Sequence, residues 1–198
     1  MLREYIHQQN HPNSDHPRPQ DDTFDGPIRV FHSATIQYYA PSDLCGAGGM
    51  HREVLRANPS CGGMKRFDTV LVSMGDDDDR APMRGLLVAR IWLLFSYFNP
   101  YQGKDIPCAL VTWFIHPGDS PERDKDTGMW RVVPERGADD EHLFQVIHLN
   151  TILRGIHLLP CYGEGFLPAD LECDEALDAW NEYFVNHFID YHAHELLA

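Results

Sequence analysis

The sequence predicts a mainly β (α+β) domain: a small, strongly curved antiparallel sheet or barrel with an amphipathic C-terminal helix. Three observations carry this. Between residues 67 and 163, β-branched and aromatic runs recur at nearly regular spacing. Polar, Gly- and Pro-bearing turns separate them. After residue 174 the apolar period changes from two to between three and four.

The elements follow in order. Residues 1–27 are rich in Pro, His, Gln, Asn and Asp and lack apolar periodicity. They read as a disordered tail, because they offer too little apolar surface to offset chain entropy. Residues 28–198 then read as a single globular domain. Its first segment, 28–40, is extended and stops at Pro41. Ser42 or Asp43 can cap a short turn, and Gly46, Gly48 and Gly49 break any helix there. Met50 to Ala57 has apolar residues at 50, 54, 55 and 57, a spacing that predicts a short amphipathic helix ended by Asn58-Pro59. The β core spans 67–163, with runs at 67–72, 85–98, 107–115, 129–133 and 145–149 and a final strand within 151–162. Asp76 to Asp79, His116 to Asp126 and residues 134–142 read as solvated loops. Residues 174–197 read as one helix whose stripe, Leu177, Trp180, Phe184, Phe188 and Tyr191, packs on the sheet.

Composition narrows the function. At 198 residues and 43% hydrophobic, the chain suffices for one ordinary core. No apolar run reaches the roughly 18–20 residues that span a bilayer, and the N-terminus has no charged-then-apolar signal pattern. Five cysteines, an odd number without a C-x-x-C pair, argue against a zinc site or disulfide framework and suit reduced thiols in an intracellular compartment. The formal net charge of −14, from 16 basic and 30 acidic residues, disfavours nucleic acid as a general partner. It suits a basic protein or peptide.

No catalytic pattern is present: no nucleophile elbow, phosphate loop or dinucleotide fingerprint. Asp76 to Asp79 lacks calcium-loop spacing, and Asp139-Asp140-Glu141 are consecutive, whereas two-metal ligands come from separate elements. The strongest metal-like cluster is His187, Asp190, His192, His194 and Glu195, of which His187, Asp190 and His194 would share a helix face while His192 points elsewhere. It lacks the i, i+4 histidine pair of zinc helices, since the position four after His187 is Tyr191. The expectation is therefore no enzyme, no cofactor and no metal. Aromatics near strand ends (Tyr38, Tyr39, Trp92, Trp113, Phe114 and Trp130) offer a different chemistry. Converging rings beside a carboxylate hold ammonium groups by cation–π attraction. Tyr39, Trp113 and Trp130 are the residues expected to contact such a ligand.

Several blocks resemble a known family. They include Val30-Phe-His-Ser-Ala34, Tyr39-Ala-Pro-Ser-Asp-Leu44, Met83-Arg-Gly85 with Val88-Ala-Arg90, Cys108-Ala-Leu-Val111 with Trp113-Phe114, Asp126-Thr-Gly-Met-Trp130, Val146-Ile-His-Leu149 and Tyr183-Phe-Val-Asn186. In this order the chain, over about 28–195, is similar to the C-terminal region of Plavaka-type transposases of the Kyakuja–Dileera–Zisupton group. The resemblance implies a truncated copy, a stand-alone relic or a host-retained accessory domain in the nucleus, and because that family's catalytic domain is expected upstream of this region it brings no catalytic residue. A second resemblance is to bromo-adjacent homology domains. Asp68, Val70 and Val72, the strand Val88 to Ile91, and Val111-Thr-Trp-Phe114 follow that barrel, with Ile115-His-Pro117 where that family has Arg-Pro. It implies binding of a histone tail or partner protein. The resulting expectation is a non-catalytic protein or chromatin interaction domain, whose partner is a basic peptide or a transposase catalytic domain. The alternative is a DNA-handling accessory module of a transposition complex, and a third reading is a metal-dependent hydrolase built on 187–195.

Overall fold

A computed structural model describes residues 1–10, 24, 26–42, 48–75, 81–118, 121–163, 167, 170–172 and 174–198. The Asp76–Asp79 loop and positions 11–23 and 25 of the expected tail lie outside the described residues. Twelve strands are described: β1 (Ile28–Phe31), β2 (Ser33–Tyr39), β3 (Met50–Cys61), β4 (Met64–Phe67), β5 (Thr69–Val72), β6 (Leu87–Asn99), β7 (Lys104–Ile115), β8 (Trp130–Pro134), β9 (Phe144–His148), β10 (Ile152–Gly155), β11 (Leu158–Pro160) and β12 (Tyr183–Val185). Two α-helices, α1 (Leu2–Asn10) and α2 (Tyr191–Leu197), and two short 3-10 turns, Pro82–Gly85 and Leu149–Thr151, complete the described elements.

The scaffold is the long β6–β7 hairpin. Asn99 shapes its turn, its carbonyl accepting from the N–H of Gly103 at 2.8 Å and its side-chain oxygen from the N–H of Tyr101 at 2.9 Å. Around it runs an antiparallel sheet in the order β10-β5-β6-β7-β8-β12-β11, with β1 also on β6 and β9 also on β7. β10 and β11 stand at opposite ends of that order, yet only Ile156 and His157 separate them. The sheet must therefore curl until one chain segment serves both ends. The N–H of Ile156 bonds to Thr69 on one side, and the carbonyl of His157 accepts from Asn186 on the other. The result is the curled antiparallel half-barrel that the run of β-prone segments predicts. The strand expected within 151–162 is thus two short ones, serving opposite ends of the sheet.

A second, three-stranded sheet, β2-β3-β4, lies against the first. Leu55, Ala57, Ala34 and Ile36 pack on Val70, Val72, Ala89 and Ile91. On the opposite face, Leu71, Val88 and Phe114 meet Tyr183, Val185, Ala193 and Leu197. Val70, Leu71 and Val72 all have zero exposure because β5 is covered on both faces, which explains its unbroken apolar run. Gly155 allows the two sheets to meet: its N–H donates to Glu53 Oε2 at 2.8 Å, and a Cβ there would come within 2.7 Å of Glu53 Oε1.

Three expected elements differ. Residues 50–57 are strand, not helix. Leu55 and Ala57 point inward while Arg52 and Val54 alternate outward, and burial against β5 and β6 overrides the local helical spacing. Only 191–197 of the predicted 174–197 helix are helical. Leu177 and Trp180 reach the core from turns, Phe184 sits in β12, and Phe188 and Tyr191 are 63% and 72% exposed, so the expected stripe does not exist. Residues 2–10 of the expected disordered tail form α1, which buries Tyr5 and Ile6 against Phe95, Tyr97, Ile106 and Val146.

Candidate functional site

Pairing along β6 slips at one residue. Ile91 is opposite Val111 and Leu93 opposite Leu110, which leaves Trp92 as the extra residue of a β-bulge. The slip changes parity: Ala89 and Ile91 enter the core that faces β2–β4, and after the bulge Leu94 enters it instead. It also aims Trp92 out of the regular ladder. The indole N–H donates to the Thr112 hydroxyl at 2.9 Å, and the ring lies 5.0 Å from Phe67, 5.3 Å from His142 and 5.9 Å from Phe144.

Arg90, two residues earlier, lies over these rings, its guanidinium carbon 4.4 Å from the centre of Trp92 and 5.8 Å from that of Phe67. It is 5% exposed. Its Nη1 donates to Asp178 Oδ1 at 2.6 Å, while its Nε is buried without a partner. Asp174, Glu175 and Asp178 form the far wall of a groove of about 490 Å³, with Lys65 and Leu171 at its rim. Asp174 Oδ2 accepts from the N–H of Lys65 at 3.2 Å, but its Oδ1 is buried and unpaired. A buried carboxylate oxygen without a donor is costly, so Oδ1 is an unmet acceptor at this edge of the groove among the described residues. His142, beside the Trp92 ring, accepts from Arg136 at 3.2 Å. Because arginine can only donate, the ring is neutral there. Burial, reinforced by Arg136, lowers its pKa.

A second buried arginine lies at the meeting of β10, β2 and the C-terminal segment. Arg154 is 3% exposed and holds Asp190 with two bonds, 2.7 Å to Oδ1 and 2.5 Å to Oδ2. Its Nε donates to Gly155 O at 3.0 Å, its Nη1 reaches His192 Nδ1 at 3.2 Å, and its guanidinium lies 5.0 Å from the centre of Tyr38. Tyr38 stacks on His192 at 4.8 Å. Burial works against charge at both ends of the Arg154–Asp190 pair. Their mutual hydrogen bonds and attraction outweigh it, so the pKa of Arg154 rises and that of Asp190 falls. Asp190 also caps α2 by accepting from the N–H of Ala193 at 2.7 Å.

The rings expected to form a cage do not gather. Trp113 packs beside the core facing β2–β4 and donates to Gln145 at 2.6 Å. Trp130 packs on the opposite core, donates to the carbonyl of Leu197 at 2.9 Å, and carries Arg123 over its ring at 4.8 Å. Tyr39, 62% exposed, is on the three-stranded sheet against Gly49. Among the described residues no ring contact joins any two of the three. Tyr38 and Phe114 are structural, Phe114 meeting Tyr183 edge-on at 5.7 Å. Of the expected face, His187 and His194 do meet, their ring centres 5.3 Å apart, but His187 precedes α2 and Asp190 is turned to Arg154. No group of three metal-ligating side chains occurs among the described residues.

Trp92 was legible as a strand-end aromatic, but its partnership with Arg90 was not. The one signal the sequence offers for it is a charged residue inside the otherwise apolar run 86–98. Among the described residues no helix is long and apolar enough to cross a membrane. Compared with known proteins, the chain matches no family model, no curated protein and no solved structure.

Proposed function

We propose that this chain is a non-catalytic interaction module that takes a basic side chain of a protein or peptide into the groove beside Trp92. The observation that carries the reading is the unpaired, buried Oδ1 of Asp174. Beside it stands Glu175, whose carboxylate has no partner among the described residues, and both side chains line the groove. The net charge of −14 favours a cationic partner at long range. The resemblance to a transposase accessory region and to bromo-adjacent homology domains adds a nuclear setting and histone tails as the first peptides to try, with a transposase catalytic domain as the alternative partner.

Arg90 already fills the slot between Phe67 and Trp92. An incoming lysine or arginine is therefore read by Asp174 and Glu175 and not by the ring faces. Methylating the lysine should then bring no gain, unlike recognition in an aromatic cage, where methylation is favoured. The test is a titration of the protein with unmodified and trimethylated histone-tail peptides, followed through the fluorescence of the groove tryptophan. Equal binding of the two forms is expected. Asp174→Asn with Glu175→Gln should weaken it by at least about tenfold, a change of roughly 1.4 kcal/mol. No binding at low salt, or binding untouched by the double substitution in a folded protein, rejects the reading.

A further inference from the structure

Charge is segregated along the chain. Residues 28–67 hold five basic side chains, Arg29, Arg52, Arg56, Lys65 and Arg66, against two acidic ones, Asp43 and Glu53, for a net of +3, so all other residues together carry −17. Strand register concentrates the positive charge further. On β3, Leu55 and Ala57 face the core together with Glu53, which is held by Gly155. Arg52, Val54, Arg56 and Asn58 have the opposite parity and face out. Across the ladder they meet Gln37, Thr35 and Ser33 on β2 and Arg66 on β4. No carboxylate belongs to this outward set, and neither the Arg52 nor the Arg56 guanidinium has an acceptor among the described residues. Arg66 is tied to Asp68 at 2.9 Å but is still 52% exposed. At the end of the same face stands Tyr39, opposite Met50, with its ring 62% exposed.

We propose that the outer face of the β2–β3–β4 sheet binds single-stranded nucleic acid, with Arg52, Arg56 and Arg66 on phosphates and Tyr39 as a stacking surface. Arg52 and Arg56 are four residues apart, about 13 Å along an extended strand, so they track a backbone rather than pinch one phosphate. An exposed ring can stack only on bases already free of their own stack, which selects a single strand over a duplex. The acidic remainder also favours the single strand, because a duplex brings a charge every ~1.7 Å of axis toward it. This surface is separate from the groove at Trp92, so either can fail without the other.

The test is fluorescence anisotropy of the full chain with a labelled oligothymidine and with a duplex of equal length. Three phosphate contacts predict a slope of log affinity against log salt of about −2, hence a loss of roughly fifteenfold between 50 and 200 mM salt. Arg52→Glu with Arg56→Glu should abolish binding while leaving the thermal transition and the groove's peptide affinity unchanged, since neither side chain has a partner to lose. Tyr39→Ala should weaken it several-fold. The proposal is overturned if the single strand does not bind at 50 mM salt, or if the charge reversal leaves binding intact. It is equally overturned if the duplex binds as tightly, or if polyglutamate competes as well as the oligonucleotide. Self-association in the ultracentrifuge that the double reversal removes, without oligonucleotide binding, would instead make this face a contact for the acidic surface of a second copy.

Discussion

Arg90 and Arg154 are both almost wholly buried on strands, both lie over aromatic rings, and both pair with an aspartate from the segment after residue 174. Their surroundings differ. Arg154 is held by both oxygens of Asp190, donates from Nε to a carbonyl and touches His192. Arg90 has one short bond, to an aspartate that is 43% exposed, and a bare Nε. A satisfied buried ion network fixes one arrangement. A partly satisfied one keeps unmet donors and acceptors within reach of a ligand. Arg154 locks the C-terminal segment to the half-barrel, and Arg90 lies in the groove where a partner is proposed to bind.

The sharpest way to break this contrast is to remove Asp190. Asp190→Ala leaves the Arg154 charge buried and unpaired and also deletes the cap of α2. Stripping one member of a buried pair costs about 3–5 kcal/mol, and a lost cap adds about 1 kcal/mol. Chemical denaturation should show that loss, with Ala193 and Leu197 released from the core they share with Leu71 and Val88. A cost below ~1 kcal/mol would mean that Arg154 is no lock. Next in size, Trp92→Ala removes a half-buried ring with three ring neighbours, the Thr112 bond and the Arg90 contact. A loss of about 2–3 kcal/mol is expected, below the ~3–5 kcal/mol of fully buried aromatics.

Neither arginine's role could be read from the sequence, and the reason is the same as for the misread elements. The strands 87–99, 104–115 and 144–148 were legible because β-branched and aromatic runs between turns are a local signal. Residues 50–57 fit a helix by spacing alone, and what makes them strand is the cover of Val70 and Val72 by Leu55 and Ala57, a contact between distant segments. β12 is three residues long and exists because β8 and β11 flank it, so the aromatic steps from 177 to 191 were coincidence. α1 is stabilised mainly by Tyr5 and Ile6, too small an apolar signal to distinguish from a tail. The groove at Trp92 depends on a bulge, and a bulge leaves no mark in apolar periodicity.

A smaller effect follows from pH. His192 accepts from Arg154 and so must be neutral in the folded state, and burial, then Arg154, lowers its pKa. Asp190 and Glu195 pull the other way, His51 adds to the lowering, and Tyr38 stacks on its face. A histidine whose folded pKa lies below its unfolded value, about 6.5, favours the folded state fully above that pH. The contribution is lost as pH falls from there toward the folded pKa, where the unfolded chain binds the extra proton. Urea midpoints should therefore drop between pH 7 and 5. Buried or half-buried His116, His142, His148 and His187 are shifted in the same direction and contribute too. His192→Gln should flatten part of that slope, and an unchanged slope would separate His192 from the Arg154 lock.

The smallest expected change tests the other half of the contrast. Asp178→Ala removes the only ion-pair partner of Arg90 shown among the described residues, the counterpart of removing Asp190 from Arg154. Asp178 is 43% exposed, however, so water can replace its carboxylate on the open side while Arg90 stays stacked on Trp92 at 4.4 Å. A cost of about 1 kcal/mol or less is expected, as for a partly exposed pair. Asp174→Asn should be neutral or slightly stabilising, because it relieves repulsion among Asp174, Glu175 and Asp178 without removing a bond that the fold requires. If Asp178→Ala instead costs as much as Asp190→Ala, the groove is a second lock, and the unpaired Oδ1 of Asp174 would no longer mark a place for a partner.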